Sequence, residues 1–199
     1  PQARSTVSNI LDHPDLNANT TYFIAKVFQS QDDLSDEALL AYRLLLERYP
    51  SEKIARRIAE IISSASFSFN AYRLLQIIVK TEPDNYSSAG RLCRWHIRLG
   101  DIEQAAELAT RILQNEPDNI DANRALGAIA ERNQNWEMAA RHYHASGDHL
   151  RVAVVAAKSG NLTEAKKALD LSQAHDQASP TWLYYQGWVA FQQQDYAAA

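Results

Sequence analysis

The fold is decided by residues 82–119, which read EPDNYSSAGRLCRWHIRLGDIEQAAELATRILQNEPDN. The stretch begins and ends with the same four residues, at 82–85 and 116–119, so the sequence repeats after 34 positions. Between the two copies, Gly100 separates two runs in which apolar residues recur at intervals of three and four. Such intervals are typical of helices with one buried face. The stretch therefore predicts one helix-turn-helix repeat.

The same period runs along most of the chain. Alanines stand 33, 34, 34, 26 and 34 residues apart at Ala38, Ala71, Ala105, Ala139, Ala165 and Ala199. Pro50, Pro83 and Pro117 keep spacings of 33 and 34. A repeat of this size indicates a solenoid, because each repeat is too small to bury its apolar face without a stacked neighbour. Function is then expected on a surface rather than in an enclosed pocket.

The repeating residues resemble the tetratricopeptide repeat (TPR). That pattern has a large and a small residue in its first helix, a glycine turn, an alanine and a bulky residue in its second helix, and then a proline. The third repeat offers Leu92, Cys93, Gly100, Ala105 and Pro117, and the fourth offers Leu126, Gly127, Ala139 and Tyr143. The resemblance implies an all-α, right-handed α-solenoid of about five helix-turn-helix TPR-like repeats plus a truncated sixth.

We expect an N-terminal lead-in over 1–18 and a single solenoid over 19–199. Its repeats are predicted at about 19–51, 52–85, 86–119, 120–145, 146–179 and 180–199, the last incomplete. The spacing of 26 residues between Ala139 and Ala165 shortens one connection. The helix from about 136 to 146 is therefore expected to turn at Gly147-Asp148 directly into the next. Because the chain starts at Pro1 without a methionine, we expect a fragment of a longer protein.

Composition excludes several classes of protein. The formal net charge of -4 argues against a general nucleic-acid binder, which needs surplus Lys and Arg. No apolar run approaches the roughly 18 to 20 residues that cross a bilayer, so no membrane insertion by this segment is expected. Cys93 is the only cysteine, which rules out an intrachain disulfide and leaves the compartment open between cytoplasm and periplasm.

Catalytic and cofactor motifs are absent from the sequence, including phosphate-binding glycine loops, H-E-x-x-H and C-x-x-C. We therefore expect no enzyme activity, no catalytic residue and no cofactor. His142, His144 and His149 cluster with Asp148, but residues two apart on a helix point away from each other, so packing or surface roles are favoured over a metal site. Cys93 is expected to be a buried, inert thiol.

Basic residues on the first helices of the repeats suggest a binding site, since in TPR proteins these helices line the concave groove. Arg91, Arg94 and Arg98 can share one helix face. The repeat register adds three more predicted groove cations, Lys53, Arg56 and Arg124. Arginine suits an acidic peptide, a C-terminal carboxylate or an acidic partner surface, because its planar fork bonds both carboxylate oxygens.

The alternative for these cations is a solvated face that Glu60, Asp121 and Glu131 balance. The TPR clamp for chaperone tails also uses asparagines in the groove. This chain has Glu60, Arg94 and Ala128 in the comparable places, so a chaperone-tail adaptor is not expected.

A predicted secondary interface consists of aromatic residues on the last helix, Trp182, Tyr184, Trp188 and Phe191. Aromatic residues are enriched at binding hot spots, and exposed ones can drive self-association. The alternative is that these rings pack beneath a further helix.

The sequence thus predicts a non-catalytic protein-interaction scaffold that binds an acidic partner in a basic groove. One alternative is an assembly or regulatory subunit of a bacterial envelope, secretion or polysaccharide-export complex. Another is a purely architectural module of a larger enzyme.

Overall fold

The computed structural model describes residues 13, 16–29, 35–63, 67–172 and 174–193. Every element assigned within these residues is a helix, which confirms the all-α prediction. The chain divides into two compact units, an N-terminal unit over Pro1–Trp95 and a C-terminal unit over His96–Ala199. The predicted lead-in over 1–18 lies mostly outside the described residues.

The N-terminal unit is built from four helices and most of a fifth. They are α1 (Ala18–Phe28), α2 (Asp36–Arg48), α3 (Glu52–Ile61), α4 (Phe69–Thr81) and α5 (Tyr86–Leu99), of which the residues up to Trp95 belong here. Helix α1 packs on α2, and α2 packs on both α3 and α4. The largest fully buried side chains are Tyr42, Leu45, Leu46, Ile58, Ile62, Leu74, Leu75 and Ile78.

The C-terminal unit continues with the remaining helices. They are α6 (Ile102–Asn115), α7 (Ile120–Arg132), α8 (Trp136–Ala145), α9 (His149–Lys158), α10 (Leu162–Leu171), α11 (Ala174–Gln177) and α12 (Pro180–Gln192). Each helix from α6 to α10 packs on the next one along the chain, and α12 packs on α9, α10 and α11. These helices fall in pairs within the predicted repeats, whose bounds stay a prediction.

The alanine ladder lies in the core, as the repeat pattern predicts. The side chains of Ala38, Ala71, Ala105, Ala139 and Ala165 are fully buried. Ala199 lies outside the described residues. Small side chains at these positions let paired helices approach closely, because a larger side chain would overpack the contact.

The two identical EPDN strings adopt the same structure. In each, the Glu N–H continues the preceding helix, and the Asn N–H donates to the Glu carbonyl, at 3.1 Å for Asn85 and 3.0 Å for Asn119. The Asn amide also donates to the Glu carboxylate at 2.9 Å in both copies. Its side-chain oxygen then accepts the N–H three residues later, at Ser88 and Ala122. The string therefore ends one helix and begins the next.

Four turns in the C-terminal unit share a second geometry. A residue with positive φ follows the helix, and the next residue donates its N–H to the carbonyl five positions earlier, at 2.9 to 3.0 Å. The positive-φ residues are Gly100 (86°), Gln134 (56°), Gly147 (68°) and Gly160 (82°). Glycine suits this position because it lacks the Cβ that makes positive φ costly.

The residue after each positive-φ residue is placed to cap the next helix. Asn135, Asp148 and Asn161 do so, each accepting the backbone N–H three positions later. Asp101 makes no such bond, and its Oδ2 lies 3.4 Å from Nδ1 of His96 instead. The predicted direct turn at Gly147-Asp148 is confirmed, since α8 ends at Ala145 and α9 begins at His149.

No helix within the described residues is long and apolar enough to span a membrane.

Candidate functional site

Two predicted groove cations, Lys53 and Arg56, lie exposed on α3 in the N-terminal unit. Arg56 is already paired, because its Nε and Nη2 atoms both lie 2.6 Å from Oε1 of Glu82. The hydrogen bond from Arg56 to Glu82 is the main reason that the pKa of Arg56 is raised. The Glu82 side chain is only 8% exposed, so Arg56 neutralises a largely buried carboxylate.

Arg91 and Arg94 lie on α5 in the same unit. Arg91 is half-buried, donates through Nη1 to the carbonyl of Ile62, and has its guanidinium carbon 5.0 Å from the centre of the Trp95 ring. These contacts link the end of α3 to α5, so Arg91 has a structural role that the sequence did not predict. Arg94 is exposed.

The other two predicted groove cations belong to the C-terminal unit. Arg98 is exposed near the end of α5, and Arg124 is exposed on α7. Of these two, Arg124 contributes to an open groove of about 530 Å³, here named the α7–α9 groove. The residues that line the groove are Arg124, Ala128, Glu131, Arg132, Tyr143, Asp148, Arg151 and Lys158.

Glu131 is the centre of a charged network in the α7–α9 groove. Its Oε1 accepts from Nζ of Lys158 at 2.7 Å, and its Oε2 accepts from the hydroxyl of Tyr143 at 2.9 Å. Nη1 of Arg151 lies 3.6 Å from Oε2. Lys158 also lies 5.7 Å from the centre of the Trp136 ring.

Two pKa values in this network are shifted. Burial acts to raise the pKa of Glu131, but the hydrogen bonds from Lys158 and Tyr143, with the charges of Lys158 and Arg151, outweigh it and leave this pKa lowered. Burial, followed by the charge of Glu131, raises the pKa of Tyr143. The groove therefore holds an ionised carboxylate beside a neutral phenol at neutral pH.

The remaining charges leave the groove positive. Arg124 Nε lies 3.2 Å from Oδ2 of Asp148. Arg132 is exposed and has no ion-pair partner among the residues that the structure describes. Four cations thus face two carboxylates, a formal surplus of two positive charges.

Local backbone geometry brings Tyr143 and Asp148 to the groove. A Cβ on Gly127 would lie 2.8 Å from Cδ1 and Cε1 of Tyr143, so the absence of a side chain at Gly127 lets the ring lie against α7. The tight turn at Gly147 places Asp148 at the start of α9. Both features come from the repeat pattern and its shortened connection.

The histidines of the shortened connection are engaged separately. His142 Nδ1 lies 3.0 Å from Oδ1 of Asn123, and burial lowers the pKa of His142. His144 Nε2 lies 3.2 Å from Oε1 of Glu164. Within the described part of the chain, no three His, Cys, Asp or Glu side chains are placed to hold a metal ion. Cys93 is fully buried.

The predicted secondary interface divides between the core and the surface. Trp182 and Trp188 pack against the core of the C-terminal unit, and Nε1 of Trp182 donates to the carbonyl of Leu169 at 3.2 Å. Tyr184 and Phe191 face outward, with exposed fractions of 63% and 59%. Leu183 beside them is also exposed.

The tetratricopeptide repeat profile matches residues 96–146 and 150–199, which together make up just over half of the chain. The chain belongs to the tetratricopeptide repeat family. This assignment confirms the resemblance found in the sequence and the helical-solenoid fold class. The TPR fold is that of protein–protein interaction scaffolds, and TPR proteins are generally non-catalytic.

Several solved TPR structures are similar to this chain. MamA matches with a TM-score of 0.59 at 12% identity, covering 92% of this chain and 96% of MamA. YrrB, described as a TPR protein with an unusual peptide-binding site, matches at 0.58 and 14% identity over 95% and 97%. PilW, described as a widely conserved type IV pilus biogenesis factor, matches at 0.57 and 16% identity over 92% and 89%. At such identities the likeness shows the fold alone. No curated protein matches the chain in sequence.

The TPR register explains two groove residues that the sequence reasoning missed. Arg98, Arg132 and Lys158 are spaced by 34 and 26 residues, as are Ala105, Ala139 and Ala165. Extending the register of Arg98 along the ladder would therefore have found both Arg132 and Lys158. Arg151 has no such signal, because it reaches the groove through the turn at Gly147.

Proposed function

We propose that this TPR chain is a non-catalytic scaffold that binds an acidic peptide or an acidic partner surface. The observation that carries the proposal is the surplus of two positive charges in the α7–α9 groove, within a chain of net charge -4. The first helices of neighbouring repeats, α7 and α9, supply all four of its cations. Surplus charge in a groove concentrates anionic ligands and speeds their association.

Arginine side chains favour carboxylate ligands here. Three of the four groove cations are arginines, and their side chains can bond both oxygens of a carboxylate. Arg132 lacks an ion-pair partner among the described residues, and the Arg151 side chain is 56% exposed at a long 3.6 Å from Glu131. These two are the cations from which we expect the strongest contribution to binding. Lys53, Arg56, Arg91, Arg94 and Arg98 remain part of the proposal as predicted groove cations of the other repeats.

A binding experiment with labelled poly-L-glutamate tests the proposal. Fluorescence anisotropy is measured at low and high NaCl, with poly-L-glutamine as the neutral probe. We expect saturable binding of poly-L-glutamate alone, weakened by salt. The double variant Arg132→Glu/Arg151→Glu is expected to weaken binding by at least about tenfold, because it reverses the two most available charges.

The matched control is Arg111→Glu/Arg141→Glu, which makes the same change in net charge on exposed residues of α6 and α8. Circular dichroism verifies that every variant is folded. Equal weakening by both double variants would mean that net charge, and not the α7–α9 groove, drives binding. Failure of the wild type to bind at low salt would favour the purely architectural alternative.

The N-terminal cations need a separate variant, because reversing Arg56 would put a second carboxylate beside the buried Glu82. Lys53→Glu/Arg94→Glu/Arg98→Glu avoids that contact and changes only exposed residues. Weakened binding of poly-L-glutamate by this variant would extend the site to the earlier repeats. Unchanged binding would restrict it to the α7–α9 groove.

Self-association is the other interaction that the sequence predicts. We infer that the outward side chains of the secondary interface, Leu183, Tyr184 and Phe191, would carry it, because together they expose apolar surface on one helix. Light scattering over a range of protein concentrations tests this, with Tyr184→Ser/Phe191→Ser as the variant. A wild type that stays monomeric at high concentration would contradict it.

A further inference from the structure

The α7–α9 groove carries its own carboxylate among the cations that a ligand would use. We propose that Glu131 sets a charge threshold for the groove, so that the partner is an internal segment with several acidic side chains and not a single chain-terminal carboxylate. This inference rests on the proposed function, and it names the class of partner that the groove accepts.

Glu131 already satisfies the Lys158 ammonium. The Glu131 side chain is only 14% exposed, and its two oxygens are held by Lys158 at 2.7 Å and by Tyr143 at 2.9 Å. A ligand carboxylate that approaches Lys158 must therefore compete with a fixed intramolecular partner. Exchanging one ion pair for another while removing a charge from water gives little net free energy.

The surplus cations lie at separate positions around Glu131. Arg132 is on α7 beside Glu131, Arg151 is on α9, and Arg124 is one to two turns earlier on α7 with Asp148 as its partner. Negative charges distributed along a segment can meet several of these cations at once, whereas a single carboxylate cannot. The repulsion from Glu131 is then outweighed only by a ligand with several charges.

The lining also argues against an amphipathic helix as the partner. Ala128 is the single aliphatic side chain among the described residues that line the groove. A helix that docks by its apolar face needs a hydrophobic groove to bury it. Charge is therefore the main source of recognition, which suits an extended acidic segment.

Two peptides of equal length test the inference on the intact chain. The first alternates Glu and Asp and is acetylated and amidated, so that it has no terminal charge. The second has Gln and Asn in their place, an acetylated N-terminus and a free C-terminal carboxylate. Anisotropy is expected to show at least about tenfold tighter binding of the first peptide to the wild type.

The variant Glu131→Gln removes the threshold while keeping an oxygen that can accept from Tyr143. We expect it to bind the acidic peptide about 3- to 10-fold more tightly, since one repulsive unit charge is lost at short range. The control Glu137→Gln makes the same charge change on α8, where Glu137 is 78% exposed and pairs with Arg141. It is expected to change affinity by less than about twofold.

The possible outcomes separate this inference from the proposed function. Tighter binding of the free-carboxylate peptide, or equal or weaker binding of the acidic peptide by Glu131→Gln, would overturn the charge threshold while leaving acidic recognition in place. If neither peptide binds any variant at low salt, both proposals fail. If circular dichroism shows that Glu131→Gln does not fold, the two-peptide comparison on the wild type still decides the question.

Discussion

At the scale of single residues, the contact between Gly127 and Tyr143 determines how α7 and α8 pack. We expect Gly127→Ala to lower the free energy of unfolding by about 1–3 kcal/mol, because the new methyl group would lie 2.8 Å from the Tyr143 ring. Thermal or urea unfolding followed by circular dichroism measures the effect. In a Tyr143→Ala background the same substitution should be neutral or slightly stabilising, because alanine has the higher helix propensity. Equal destabilisation in both backgrounds would contradict this explanation.

Residue-level reasoning from the sequence succeeded where one side chain has one environment. The ladder alanines and Cys93 were predicted to be buried, and their side chains are fully buried. It failed for Arg56 and Arg91, whose partners Glu82 and the Ile62 carbonyl lie on other elements. A cation on a helix can face solvent or a carboxylate, and the sequence of its own helix does not distinguish the two.

At the scale of the element, the turns test whether the repeat uses the best residue at each position. Gln134 is the one non-glycine with positive φ among the described residues, and the other three turns of this geometry have glycine there. We expect Gln134→Gly to raise the free energy of unfolding by about 0.5–1 kcal/mol, since it removes the steric cost of positive φ. Urea unfolding measures the change. The control Asn133→Gly, at φ of -84°, should give no gain, and a gain there as well would contradict the argument.

Element bounds were largely predictable because starts and stops are local. The EPDN strings and the Gly-Asp and Gly-Asn turns determine where helices end, and the shortened connection follows from one changed spacing. The α7–α9 groove was predictable only in part. Arg124 came from the sequence, whereas Arg151 and the central place of Glu131 depend on how the turn at Gly147 aligns α9 with α7.

At the scale of the whole molecule, charge is distributed unevenly. The chain is acidic, with a formal net charge of -4, while the α7–α9 groove has two surplus positive charges. The Glu131 network therefore has two effects, because it stabilises the α7–α9 region and limits the positive charge available to a partner. Stability and recognition should respond together to any change at Glu131.

The pH dependence of unfolding tests this coupling across the whole chain. Because the pKa of Glu131 is lowered from the ordinary 4.5 in the folded state, its ionised form contributes stability above about pH 4.5, and that contribution is lost as the pH falls further. Glu131→Gln should cost about 1–3 kcal/mol at neutral pH, because it leaves the Lys158 ammonium unpaired. The difference between wild type and variant should then shrink between about pH 5 and pH 3, as measured by urea unfolding. Other carboxylates and His142 titrate in both proteins, so the comparison isolates Glu131. A difference that stays constant over this range would show that Glu131 acts through its shape and not through its charge.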